Sequence, residues 1–318
     1  MGFTLGAKTT ADIVQEIAEG LIATPEGFWT DADPTWTTVD RTVNNARRVL
    51  KYENGAELIY LALEVINQTS GMNYYYGNQR WWYYGKGIRV VFSASWDYIA
   101  HTYPTSNQST FVPFETQRDG VSADFITLMI PYQLWIESNG FVIMGKPEPN
   151  ATDTNQQSFI IVVERSPTKE YADGYTNFFC FTSVNIWINC LYDGNWAPTI
   201  WRNRTILRPF AFQYPDHASW GGFAANGNGL SFVPTPSNYA FKSVGNNKVY
   251  YVKPLIHNVS GQTAPVFQSD LFFMWSEGVG LIDGDVISIE GRTTKYLCKG
   301  LDSPDSTSRL TFAMKYIP

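Results

Sequence analysis

Hydrophobic positions recur at helical spacing only near the start of this chain; elsewhere they alternate with polar ones or run in short blocks. Ile13, Val14, Ile17 and Leu21 fall on one helical face, and Thr9 stands where its hydroxyl can cap the turn that ends at Asp12. The spacing predicts a helix over roughly residues 10–23. So narrow an apolar stripe needs cover, either from the chain's own β-domain or from a neighbouring subunit, and Ile13, Ile17 and Leu21 are a candidate interface. Residues 29–36, with Pro34 among them, read as irregular.

Strand signals dominate from Arg47 onward. Asn54-Gly55 lies between VLKYE and AELIYLALEVI, and this dipeptide suits the positive-φ positions of a two-residue hairpin. AELIYLALE also has good helix propensity, but the preceding turn and the β-branched residues after it favour a strand. A second such turn, Asn139-Gly140, joins DFITLMIPYQLWIES to FVIMGK, and apolar runs follow at 159–163, 177–190, 249–256 and 267–275. Near the C-terminus, Leu310, Phe312, Met314 and Tyr316 alternate with Thr311, Ala313 and Lys315, the pattern of a half-buried strand.

The expected fold is mainly β, with antiparallel sheets in a sandwich-like or barrel-like arrangement, one N-terminal helix and a small C-terminal β-module. The segments expected are an N-terminal helix and arm over 1–40, a main β-rich domain over 41–264 and a C-terminal β-module over 265–318.

Composition narrows the function. The chain has 318 residues, of which 44% are hydrophobic and 16% charged, so it can build a large core and stands apart from disordered sequences. Its net charge of -6 and the lack of a basic run argue against nucleic acid as a partner. Arg41, Arg47, Arg48 and Lys51 form the densest basic group, but Asp40 and Glu53 interleave with them, as on a solvated strand face. No membrane partner is expected, since no apolar stretch reaches the ~18 residues of a span, and no secretory signal opens the chain. Cys180, Cys190 and Cys298 make an odd count without ligand spacing, which fits buried thiols in a reducing compartment.

Binding chemistry concentrates in NYYYGNQRWWYYGKG. Tyr74, Tyr75, Tyr76, Trp81, Trp82, Tyr83 and Tyr84 form an aromatic hairpin with Arg80 beside them, suited to packing between subunits or to stacking on sugar rings. Asp283-Gly284-Asp285 lacks the remaining ligands of a calcium loop and reads as a turn. His101, His217 and His257 stand in no metal-ligand spacing, and no nucleophile elbow or phosphate-binding loop occurs. The expectation is a protein without enzymatic activity, cofactor or metal.

DGDVISIEG, KYLCKGLDSPDS and LTFAMKYIP, with ADIVQEIAEGLIAT and DRTVNNARRVLKY nearer the start, resemble structural proteins of tailed bacteriophages, chiefly tail and baseplate components. The likeness covers about a third of the chain. It implies a virion protein assembled in the host cytoplasm, with other virion proteins and copies of itself as partners, arranged around the tail axis. A head or neck protein, used in decoration or head-tail joining, is the nearest rival. A carbohydrate-binding receptor module that takes a host cell-wall glycan on the aromatic platform is another, and a cell-wall hydrolase is a third.

Overall fold

The structure is a computed structural model describing residues 2–76, 79–103, 106–108, 112–118, 129–145, 159–166, 175–185, 205–213, 230–233, 240–242, 249–251, 255–258, 265–275, 281–282, 284–289, 291–301 and 310–317. For residues 68–86 the description is of the backbone. The fold is mainly β: antiparallel sheets, one α-helix among the described residues and a small C-terminal sheet.

The helix, α1 (Thr10–Ile22), begins as its sequence predicts. The Thr9 hydroxyl accepts the Asp12 N–H at 3.2 Å and donates to the Asp12 carboxylate at 2.7 Å. Before it runs a strand that the hydrophobic pattern concealed, β1 (Gly2–Lys8). Residues 29–36, expected to be irregular, contain a short edge strand, β2 (Trp29–Asp31), and open a 3-10 turn at Pro34–Thr37.

Both Asn-Gly dipeptides mark hairpins, one residue out of register with the simplest reading. Between β3 (Arg47–Asn54) and β4 (Glu57–Tyr76), Asn54 pairs with Glu57, so Gly55 and Ala56 form the loop. Gly55 has φ +62°, the conformation required at the first loop position of a type II′ turn. Between β8 (Ile130–Glu137) and β9 (Gly140–Gly145), Glu137 pairs with Gly140 and the loop is Ser138-Asn139.

Three layers result. The front sheet has the order β2-β3-β4-β5-β6, with β5 (Gln79–Ser93), β6 (Ser106–Gln108) and β7 (Val112–Arg118), which also pairs with β5. The middle sheet has the order β1-β8-β9-β10-β11-β12, adding β10 (Phe159–Arg165), β11 (Tyr175–Asn185) and β12 (Thr205–Gln213). Leu50, Tyr52, Leu61 and Phe92 of the front sheet meet Leu134, Ile143, Ile161 and Phe178 of the middle one in a single core, as in a β-sandwich.

Helix α1 enters the same core. Ile13, Ile17 and Leu21 have no exposed surface, which corrects their assignment as an intersubunit interface: the chain itself covers the stripe. Ile17→Ala is expected to cost about 3 kcal/mol in urea unfolding, the scale of a cavity left in a packed core.

The back layer follows five short strands, β13 (Leu230–Val233) to β17 (Pro265–Gln268), which build two small sheets. It is the sheet β18-β21-β20-β19, made of β18 (Phe272–Trp275), β19 (Val286–Ser288), β20 (Lys295–Leu301) and β21 (Leu310–Tyr316). Trp135, Val142, Met144, Ile160 and Val162 on the rear of the middle sheet pack against Leu271, Phe312 and Met314. At β9 and β10 the middle sheet is therefore buried on both faces, which explains why these strands read as unbroken apolar runs rather than alternations. In β21, Ala313 is also fully buried, against Tyr296 and Cys298, so more than one face of that strand is covered.

Candidate functional site

The β4–β5 hairpin outgrows the sheet that supports it. β4 has 20 residues and β5 has 15, while β3 accompanies β4 only from Glu57 to Glu64. Val65 then exchanges backbone bonds with Asn45 and Ala46, and Asn67 is held by the Asn44 side chain and the Thr42 carbonyl. From Gln68 to Tyr76 the outer edge of β4 meets no described strand, a stretch of roughly 30 Å at about 3.3 Å per residue. On its other side β5 is supported by β7, which pairs from Ile88 as far as Tyr83.

Register decides which aromatic positions can work together. Met72 pairs with Tyr83, Asn73 with Trp82, Tyr74 with Trp81, Tyr75 with Arg80 and Tyr76 with Gln79; positions 77–78 lie outside the described residues. Neighbours along a strand belong to opposite faces, so Tyr74, Tyr76, Trp81 and Tyr83 share one set of positions and Tyr75, Arg80, Trp82 and Tyr84 the other. Trp81 and Trp82 thus belong to opposite sets of positions. At the base of the arm the ladder is irregular: Thr69, Ser70 and Gly71 stand opposite Tyr84 alone, the kind of insertion that bends a hairpin.

A buried pair of carboxylates lies elsewhere. Glu137 at the end of β8 and Glu164 on β10 both pair in register with Gly140, so the two carboxylates flank a residue without a side chain on the rear of the middle sheet. Glu164 accepts the Ser269 hydroxyl at 2.6 Å and the Asp270 N–H at 2.5 Å. Glu137 accepts Lys315 Nζ at 2.7 Å and Trp135 Nε1 at 3.1 Å. Burial pushes the Glu164 carboxyl up to about 8, although the bonds from Ser269 and Asp270 favour its charged form. With 1% of its surface exposed, Glu164 is sealed between layers. These groups latch the back sheet to the middle one.

A third cluster closes one end of the front sheet. Asp33, 2% exposed, accepts the Thr35 N–H and hydroxyl at 2.9 and 2.7 Å, and lies 2.9 Å from His101 Nδ1. Burial opposes its ionisation, yet the Thr35 bonds and His101 outweigh it and hold the carboxyl below its usual value. His101 has φ +52°, so this contact pins a strained loop. The same loop lays Trp96 and Tyr103 over the outer face of the front sheet, where the Arg47 guanidinium sits 5.7 and 5.5 Å from their ring centroids.

Among the described residues no group of three His, Cys, Asp or Glu is placed to hold a metal ion. Asp285 accepts the Ile282 N–H within a turn at Gly284, while Asp283 lies outside the described residues, as do His217 and Cys190. Cys180 and Cys298 are buried. No helix among the described residues is long and apolar enough to cross a membrane.

Neither a protein-family model nor a curated protein matches the chain.

Proposed function

We propose that the chain is a structural subunit of a tailed-phage particle, placed in the tail or baseplate, that works by packing against other virion proteins and copies of itself. The observation that carries this reading is the β4–β5 arm. Its β4 edge runs from Gln68 to Tyr76 without a described neighbour, contains neither charge nor proline to discourage pairing, and is rich in tyrosine. Such an arm suits an intersubunit joint, where flat aromatic side chains bury area at little entropic cost. The C-terminal phrases that resemble tail and baseplate proteins supply the setting.

Trp82→Ala is expected to leave the unfolding midpoint nearly unchanged, within about 0.5 kcal/mol, and to abolish incorporation into particles. Immunogold electron microscopy reads the second outcome. Label at the tail tip supports a baseplate role, label on the head or neck moves the subunit there, and particles without label sink the virion reading. The glycan-binding alternative rests on Tyr74 and Trp81, which pair directly across the hairpin. Saturable binding to a host cell-wall glycan, lost on Trp81→Ala with the fold intact, would establish it.

A further inference from the structure

The first strand of the middle sheet has an open side. β1 pairs with β8 along its whole length, Gly2 with Ile136 through to Lys8 with Ile130, and no described strand lies on its other edge. Exposed strand edges are usually blunted by proline, a bulge or several charges, because they otherwise recruit further strands. β1 has no proline, a regular ladder and the single charge of Lys8. Leu5 is 71% exposed on it, and Met129 beside the same corner is 54% exposed.

Next to this edge lies an open groove of about 830 Å³ between β1 and the solvent-facing side of α1. Gly2, Thr4 and Lys8 line it from the strand, and Asp12, Glu16 and Glu19 from the helix. Three carboxylates therefore face one ammonium. Lys8 is engaged by Glu16 at 3.1 Å, whereas Asp12 and Glu19 are exposed and form no ion pair among the described residues. The Asp12 carboxylate accepts only the Thr9 hydroxyl, to which the Asp12 N–H donates in return, and the Glu19 carboxylate accepts only the Gln15 amide.

We infer that this corner is a docking site for an extended segment of another protein, one that adds a strand to β1 and places lysine or arginine at alternate positions in the acidic groove. Strand addition supplies main-chain hydrogen bonds, and alternate side chains supply selectivity. With period two, one set of side chains enters the groove toward Asp12 and Glu19 while the other lies beside Leu5, so the fitting segment alternates basic and apolar residues. A second copy of this chain fits poorly. Its net charge is -6, and its basic strands Arg47–Asn54 and Lys295–Leu301 are already paired within their own sheets. The inference does not depend on the assembly to which the protein belongs.

The test is a fluorescence-anisotropy titration of the full chain with a capped heptapeptide of alternating lysine and valine. Saturable binding is expected, about tenfold weaker in 0.5 M than in 0.1 M salt and about fivefold weaker for the Asp12→Asn, Glu19→Gln double variant. Methylating alternate peptide amides should abolish it. The inference is overturned if the lysine peptide does not bind, if a glutamate–valine peptide binds as well, or if the methylated peptide is unimpaired. The peptide controls remain decisive should the double variant lose its fold.

Discussion

Gly140→Ala is expected to be the most damaging small substitution in the molecule, costing about 4 kcal/mol or more and leaving little folded protein. Gly140 has φ +142°, a conformation that side chains disfavour. The added Cβ would also lie 1.9 Å from the Val163 carbonyl oxygen, 2.8 Å from its carbon and 3.0 Å from Glu164 Cα. All three are backbone atoms of β10, a strand buried on both faces, so no side chain can swing aside. Gly55→Ala is the matched control. It has a similarly unfavourable φ of +62° with no atom within 4 Å of the new methyl, and should cost only about 1–2 kcal/mol. Urea unfolding of both variants separates the two effects. Equal losses would mean that β10 yields and that the close approach has no energetic consequence.

The second large effect is a loss of stability as pH rises from about 5 to about 9. The unfolded chain ionises Glu164 near the ordinary carboxyl value of 4.5, whereas the folded chain keeps its proton up to about pH 8. Between these values the folded state binds the extra proton, so stability is greatest at and below the lower value and declines as pH rises through the upper one. A loss of several kcal/mol between pH 5 and pH 9 is expected, centred on the contact of the back sheet with the middle one. The charged and polar groups acting on Glu164 are Glu137 from β8, itself bonded by Lys315 from β21, and Asp270 and Ser269 from the segment before β18. Negative charge on Glu164 would be added beside Glu137 and Asp270. Glu164→Gln should flatten the profile, as followed by thermal unfolding across pH, and an unchanged slope in that variant would rule Glu164 out as its source.

Much of the architecture is legible in the sequence because local and tertiary demands agree. The Thr9 cap, the 3.6-residue stripe of α1 and the unbroken apolar runs of β9 and β10 each name their own structure. β4 illustrates a conflict that pairing resolves: AELIYLALE suits a helix, but the ladders with β3 and β5 hold it extended. β1 was illegible because the residues aligned with Ile130, Tyr132, Leu134 and Ile136 are Lys8, Gly6, Thr4 and Gly2, which show no apolar alternation. The destination of the helix stripe was equally hidden, since an amphipathic pattern records a need for cover and says nothing of which chain provides it.

The Glu137–Glu164 pair was missed for a related reason. A glutamate closing an apolar strand resembles a solvent-facing end, and only the register on Gly140 brings two residues separated along the chain to one place. The signal available was FIIVVE itself, since a run with no polar alternation belongs to a strand covered on both faces, and a charge continuing it tends to be covered too. In the aromatic hairpin the residue types were evident, while the division of Trp81 and Trp82 between two faces required the strand assignment.

The burial of the middle sheet on both faces also orders events at the ribosome. Val142, Met144, Ile160 and Val162 emerge long before Leu271, Phe312 and Met314, which cover them. Throughout that interval the nascent chain carries a bare oily surface that cannot yet be hidden, and a polypeptide that stalled there would be sticky rather than merely shorter. That surface is hidden only when β21 docks on it, and until then it is one to which a chaperone can bind.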